Sequence, residues 1–261
     1  MAEWTVDTVV AELLSRELLI RDGGRITEEW PDLDLDTAYR VQDALLERKT
    51  RAGERVVGVK LGLTSHAKQQ RMGVDSPLTG WLTDAMSLPA GSPVVLDKMI
   101  HPRVEPEIVF TMGRRLAGPG VTPDQALAAV ATVRAGFEVI DSRYRDFSFA
   151  LPDVVADNAS SCRFVVSDVE LTPDELDLPT EPCRLEVDGK TVATATGADV
   201  QGHPAAALAL AANGLARRGL AIEAGWTVLT GGLTDAVFLN PGTKITAEFG
   251  TLGTLVLTGA V

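Results

Sequence analysis

His101-Pro-Arg-Val-Glu-Pro-Glu-Ile-Val-Phe110 is the stretch on which the reading of this chain turns. Val104–Met112 reads as a β-strand, and in a strand residues two apart point to the same face. Glu105 and Glu107 then project side by side, while Val104, Ile108 and Phe110 largely supply apolar packing. Two carboxylates held that close repel each other unless one is protonated or a cation bridges them. A hard divalent ion such as Mg²⁺ removes the conflict, because it prefers oxygen ligands. Spacing alone leaves a plainer alternative open: two exposed glutamates on a sheet edge, where Pro106 is also at home.

Gly136-Phe-Glu-Val-Ile-Asp-Ser-Arg143 shifts the balance toward a metal. Glu138 stands among apolar residues in an expected buried strand, Ala135–Ile140, with Phe137 and Val139 facing away from it. An acid there costs several kcal/mol unless it is paired or metal-bound. Asp141 falls near the strand end, where a turn or a salt bridge with Arg143 explains it. Lys60, in Val57-Gly-Val-Lys-Leu-Gly-Leu-Thr64, interrupts an apolar, Gly-flanked strand. Next to carboxylates it is a candidate charge partner or proton carrier; an edge-strand lysine with its head in water is the rival. Asp157-Asn-Ala-Ser-Ser161 reads as a run of small polar groups or a plain turn. Thr230-Gly-Gly-Leu-Thr234 after a strand lets backbone amides approach a ligand.

Around these motifs the chain divides by texture. Val6, Val9, Val10, Leu13, Leu14 and Leu18 recur at helical spacing, and a second helix runs from about Asp34–Asp36 to Arg51, stopped by Gly53. From residue 55 onward short β-type runs dominate: Arg55–Leu61, Cys183–Val187, Thr191–Thr196, Trp226–Leu229, Lys244–Phe249 and Thr254–Leu257. Asp188-Gly189 marks a hairpin. Helices are expected at about Ser65–Met72, after the capping box Thr122-Pro-Asp-Gln125, and at Pro204–Arg218 behind His203. The pattern is α+β, a rolled or sandwiched sheet with residues 1–54 as an N-terminal helical cap and 55–261 as the β-rich catalytic domain.

Composition removes several function classes. Across 261 residues, 36 acidic side chains outnumber 24 basic ones, giving a net charge of −12. Such a chain repels polyanions, so nucleic acid is excluded as an expected partner, and an acidic membrane surface has no attraction for it. No signal peptide or spanning run is legible, so a cytoplasmic location is expected. Cys162 and Cys183 lack C-x-x-C spacing, and His66, His101 and His203 lack metal-ligand spacing. No Gly-x-Ser-x-Gly elbow, phosphate-binding loop or dinucleotide fingerprint occurs.

Glu105-Pro-Glu107 followed by Glu138 resembles the metal triad of the fumarylacetoacetate hydrolase superfamily. With Lys60-Leu-Gly-Leu-Thr64, Gly73-Val-Asp-Ser-Pro77, Val155-Ala-Asp-Asn-Ala-Ser160, Gly202-His-Pro204 and Thr230-Gly-Gly232, the chain is similar to its hydratase/decarboxylase branch over nearly its whole length. The resemblance implies the family's C-terminal type of mixed β-sandwich or roll. It implies Mg²⁺, with Mn²⁺ as a substitute, on Glu105, Glu107 and Glu138, and a small 2-oxo dicarboxylic acid as substrate. His101–Glu107, Glu138–Arg143 and Thr230–Leu233 look more like the decarboxylases, so release of carbon dioxide from 2-oxo-3-hexenedioate is the expected reaction. Hydration of 2-hydroxypenta-2,4-dienoate is the alternative, and a non-enzymatic acidic binding module the more distant rival. The superfamily's hydrolases often carry a lysine about twenty residues after the third carboxylate. Here that neighbourhood reads Asp157–Ser161, which makes Lys60 the better basic residue for a catalytic role. Leu78 and Trp81 are expected to line the substrate's far pocket, with Asn158, Ser160, Ser161, Thr230, Gly231 and Gly232 completing the binding set. A homo-oligomer, and a complex with a partner hydratase, also follow from the resemblance.

Overall fold

Thr5 and Asp34 start the two long helices. In the computed structural model, which describes residues 4–65, 69–70, 72–74 and 76–261, the Thr5 hydroxyl accepts the Thr8 N–H at 3.3 Å and the Asp34 carboxylate accepts that of Thr37 at 2.8 Å. Each satisfies an amide that a helix start leaves unpaired. Helix α1 spans Val6–Leu18, a single turn α2 spans Ile26–Glu29, and α3 spans Leu35–Arg51. Their apolar stripes bury Val10, Leu13, Val41 and Leu45 together with Tyr144 and Val154–Ala156, a core separate from that of the sheets.

The remaining elements are β1 (Val56–Gly62), β2 (Leu78–Thr83), β3 (Ser87–Leu88), β4 (Val94–Val95), β5 (Arg103–Met112), α4 (Pro123–Leu127), β6 (Val130–Ile140), α5 (Leu151–Ala156) and β7 (Ser161–Val166). After them come β8 (Pro182–Val187), β9 (Lys190–Thr196), α6 (Pro204–Ala216), β10 (Thr227–Leu229), β11 (Val237–Phe238), β12 (Lys244–Phe249) and β13 (Thr254–Ala260). The larger sheet runs β2-β1-β10-β5-β6-β7-β3 with β11 also on β5; the smaller runs β4-β13-β12-β8-β9. One buried cluster joins them, drawing Ile108, Phe110 and Phe137 from the first, Leu185 and Ile245 from the second, and Leu208 from α6. The α+β architecture with leading helices is thus as the patterning implied. Asp188 and Gly189, at φ 51° and 79°, form the expected hairpin turn. His203 caps α6, its Nδ1 accepting the Ala205 N–H at 2.9 Å.

The sheet-edge alternative for Glu105 and Glu107 does not hold, and one strand boundary shifts. Strand β5 lies between β10 and β6, not at an edge. Pro106 is tolerated there because its carbonyl, which accepts the Leu233 N–H at 2.9 Å, points away from β6. The nitrogen of a strand residue points the same way as its carbonyl, so the β5–β6 ladder loses no hydrogen bond to Pro106. Strand β6 also starts at Val130, earlier than the expected Ala135. The expected helix at 65–72 and the Gly73–Pro77 motif fall partly outside the described residues, as does His66.

Candidate active site

The register of the larger sheet sets one face for chemistry. Glu105 pairs opposite Glu138 and Glu107 opposite Gly136, while Lys60 pairs opposite Leu229 on one side and Gly80 on the other. Even-numbered residues of β5 and odd-numbered residues of β6 point into the core, which leaves the three glutamates on the opposite face. Their ligand oxygens all lie within 4.8 Å of one another.

Glu107 and Glu138 are wholly buried and Glu105 is half-buried. Glu107 Oε2 accepts the Gly231 N–H at 2.7 Å, but its Oε1 is buried with no partner. Glu138 Oε1 accepts the Ser161 hydroxyl at 3.1 Å, and its Oε2 lies 3.0 Å from Lys60 Nζ. An orphaned carboxylate oxygen away from water is costly and calls for an explanation. A divalent cation fits: three hard oxygen donors converge, and others remain for water and substrate.

Lys60 is not an edge residue. Strand β1 is flanked by β2 and β10, and Lys60 is 4% exposed. Its ammonium donates to the Ala159 carbonyl at 3.0 Å besides pairing with Glu138. Gly80 makes room for its stem, since a Cβ there would lie 3.1 Å from Lys60 Cγ and 2.8 Å from the Asn158 carbonyl. Asn158, Ala159 and Ser160 all adopt left-handed φ angles, 50°, 52° and 58°. Non-glycine residues held so cost on the order of 1–3 kcal/mol each, and such runs cluster at functional sites. Here the run presents the Ala159 carbonyl to Lys60.

Burial disfavours the charge on Lys60, yet Glu138, Glu105 and Glu107 outweigh it and hold the ammonium above the usual lysine range. Burial, then Glu138 and Glu105, push Glu107 well above the usual carboxylate range. Burial raises Glu138 as well, with Lys60 opposing. Without metal, a folded-state carboxyl so raised favours its protonated form. Its stabilising contribution is complete below the ordinary glutamate pKa and is lost as pH rises through the raised value. Metal binding must displace that proton. Affinity for Mg²⁺ is therefore expected to rise with pH, with proton release; calorimetry in two buffers of different ionisation enthalpy would read it. Identical heats in both would remove the protonated Glu107.

A cavity of about 140 Å³ opens onto this face, and Leu78, Ser160 and Gly232 line it together with Lys60 and Glu105. Other expected substrate residues sit elsewhere. Trp81 is opposite Val59 on the core face, its ring 6.1 Å from that of Trp226, and does not reach the cavity. The Asn158 amide is spent on the backbone of Trp81, accepting from its N–H at 2.7 Å and donating to its carbonyl at 2.9 Å. Ser161 supports Glu138. Thr230 is buried and donates to the Ile108 carbonyl at 2.7 Å. Gly231 holds Glu107 at φ 115°, where a Cβ would lie 2.0 Å from Thr64 Oγ1. Arg143 pairs with Asp157, not with Asp141, whose carboxylate takes the Ile100 and His101 amides at 2.9 and 2.8 Å. Gly80, Phe147 and Phe149 are site residues that the local sequence does not single out, and Thr64 enters only as the end of the Lys60–Thr64 motif.

The chain belongs to the fumarylacetoacetate hydrolase family, whose C-terminal domain matches residues 55–258. Individual relatives narrow the class. A 4-oxalocrotonate decarboxylase of Pseudomonas sp. (strain CF600) is 44% identical over 248 residues, 94% of each chain. A 2-hydroxyhexa-2,4-dienoate hydratase of Comamonas testosteroni is 36% identical over 231 residues, 88% of each. Among solved structures, a 4-oxalocrotonate decarboxylase from Pseudomonas putida G7, complexed with magnesium and adipate, superposes with a TM-score of 0.94 at 40% identity, over 99% of this chain and 100% of that one.

Proposed function

We propose that this chain is a Mg²⁺-dependent carboxy-lyase that releases carbon dioxide from 2-oxo-3-hexenedioate (4-oxalocrotonate) to leave 2-hydroxypenta-2,4-dienoate. The observation that carries the reading is the cavity's lining. Glu105, backed by buried Glu107 and Glu138, and Lys60 share it with apolar Leu63, Leu78, Phe149 and Val154. Relatives of 44% identity that bear the decarboxylase name support it. Buried glutamates argue against a binding module with only surface charge.

The far carboxylate of this substrate is a vinylogous β-keto acid. As carbon dioxide leaves, its electron pair moves through the alkene onto the keto oxygen. Mg²⁺ or Mn²⁺, held by Glu105, Glu107 and Glu138, supplies Lewis-acid stabilisation of charge on the 2-oxo acid end. Lys60 holds a proton at Nζ, fixed by Glu138 and the Ala159 carbonyl, beside the place where that charge grows. Ser160 offers a neutral hydroxyl. The apolar wall excludes water and gives the departing carboxylate no buried bidentate partner that would have to break.

Hydration of 2-hydroxypenta-2,4-dienoate is the second reading, favoured by the 36% identical hydratase. In a side-by-side assay at equal concentration and saturating Mg²⁺, carbon dioxide release from the dienedioate is expected to exceed hydration of the dienoate. Efficient hydration without carbon dioxide release would reverse the assignment. Among the described residues no helix is long and apolar enough to cross a membrane. We place the enzyme in the cytoplasm as a homo-oligomer, with residues 1–54 capping the catalytic domain and a hydratase as its partner.

A further inference from the structure

We propose that Arg103, stacked between Phe147 and Phe238, selects substrates that carry a second carboxylate at the far end of the cavity. This deepens the decarboxylase reading and takes the substrate's identity from it. Arg103 precedes Glu105 by two residues on β5 and so shares its face, about 7 Å along the strand. It pairs opposite Ile140, which lines the cavity. Its guanidinium carbon lies 4.1 Å from the centroid of the Phe147 ring and 4.5 Å from that of Phe238. Phe147 lines the cavity, whereas Phe238 is 56% exposed, so the cation sits at the cavity's rim. Two rings against its faces leave the guanidinium's N–H groups to bond only through its edges. One of these, Nε, is buried with no partner.

Phe147 reaches this position through a strained backbone. It and Asp146 both have left-handed φ angles, 56° and 55°. A bulky residue persists there only where its surroundings over-determine it. The ring contacts Arg103 on one side and the His101 ring, at 4.8 Å, as well, so the turn joins the cavity wall to the cation.

Charge accounting gives Arg103 its role. The three glutamates and Lys60 leave a formal charge of −2, which one divalent ion cancels. Among the described residues lining the cavity Lys60 is the only cation, and Glu138 and the Ala159 carbonyl already occupy it. An extended six-carbon diacid spans about 6 Å between carboxyl carbons, from five bonds of about 1.5 Å in zigzag. Its second carboxylate thus arrives near the rim, where Arg103 is the cation. An edge-on N–H contact steadies that carboxylate without the grip of a buried bidentate pair, which would have to break as carbon dioxide leaves. The contribution should therefore appear in KM and leave kcat nearly unchanged.

Adipate and hexanoate, six carbons with two carboxylates or one, test this by calorimetry in Mg²⁺ at low salt. The wild-type chain should bind adipate at least about tenfold more tightly, the scale of one charge-assisted hydrogen bond. Arg103→Met should lose that preference, and Arg103→Lys should keep part of it. With the dienedioate, Arg103→Met should raise KM about tenfold. Phe238→Leu, a change at an exposed ring, is the second variant should Arg103→Met not fold; by loosening Arg103 it should lower the adipate preference several-fold. Undiminished preference in the folded variants, or none in the wild type, overturns the proposal. Preference for adipate without carbon dioxide release would sink the decarboxylase reading alone; normal turnover with Arg103→Met unchanged would sink this inference alone.

Discussion

Glu107→Gln is expected to abolish Mg²⁺-dependent turnover and to lower metal affinity at least about 100-fold, while raising the stability of the metal-free protein. Replacing the partners of metal ligands already costs about 10–100-fold, and Glu107 is itself a proposed ligand. Its Oε2 is fixed by the Gly231 N–H, and a glutamine carbonyl would keep that bond. The amide's NH₂ would then stand in place of the orphaned Oε1 as a donor toward Glu138 at any pH. The carboxyl offers one only while protonated, so the gain should grow as pH rises through the raised Glu107 value. Each kcal/mol gained this way would shift the melting temperature by about 2–4 °C in a domain of this size. Melting in chelator and calorimetry with Mg²⁺ read the two effects separately. Glu105→Gln and Glu138→Gln should also weaken binding, and unchanged affinity in all three variants would remove the metal centre. A lower melting temperature in chelator for Glu107→Gln would instead show that the negative charge is already compensated without metal.

What the sequence revealed follows from which parts of the site obey a local period. Glu105 and Glu107 share a face because side chains alternate along a strand, and no tertiary knowledge is needed to say so. Glu138 stands out because an acid among Phe137, Val139 and Ile140 has no cheap place to go. That Glu138 lies opposite Glu105 is a matter of register, and register belongs to the pairing of two strands. The same limit explains Lys60. Its strand is central because β10, more than 160 residues later, pairs with it in parallel, and nothing near residue 60 signals that. Leu78 and Trp81, both expected to line the far pocket, lie on one strand, β2. Positions three apart on a strand cannot share a face, and Trp81 turns into the core. The left-handed runs at 146–147 and 158–160 were invisible for another reason: apart from Asn158 and Asp146, their residues have no preference for that conformation. They are imposed by the surrounding fold, and they position Phe147 and the Ala159 carbonyl.

Lys60→Met is expected to lower turnover at least about tenfold with the fold retained. Methionine keeps most of the unbranched stem that passes over Gly80, so packing against β2 should survive. What disappears is the cation 3.0 Å from Glu138 and the donor to Ala159. Removing it leaves three carboxylates with no compensating charge, which destabilises the metal-free form and makes the site more dependent on bound cation. Metal affinity should consequently hold or rise while turnover falls, whereas Glu107→Gln should lower both. That opposition separates two roles for Lys60. If the lysine only neutralises Glu138, saturating Mg²⁺ should restore turnover in the variant. If it also stabilises charge on the substrate's keto oxygen, the loss should persist at any Mg²⁺ concentration and appear in kcat. Steady-state kinetics across a Mg²⁺ titration makes the distinction, and full recovery at high Mg²⁺ would reduce Lys60 to a charge partner of Glu138.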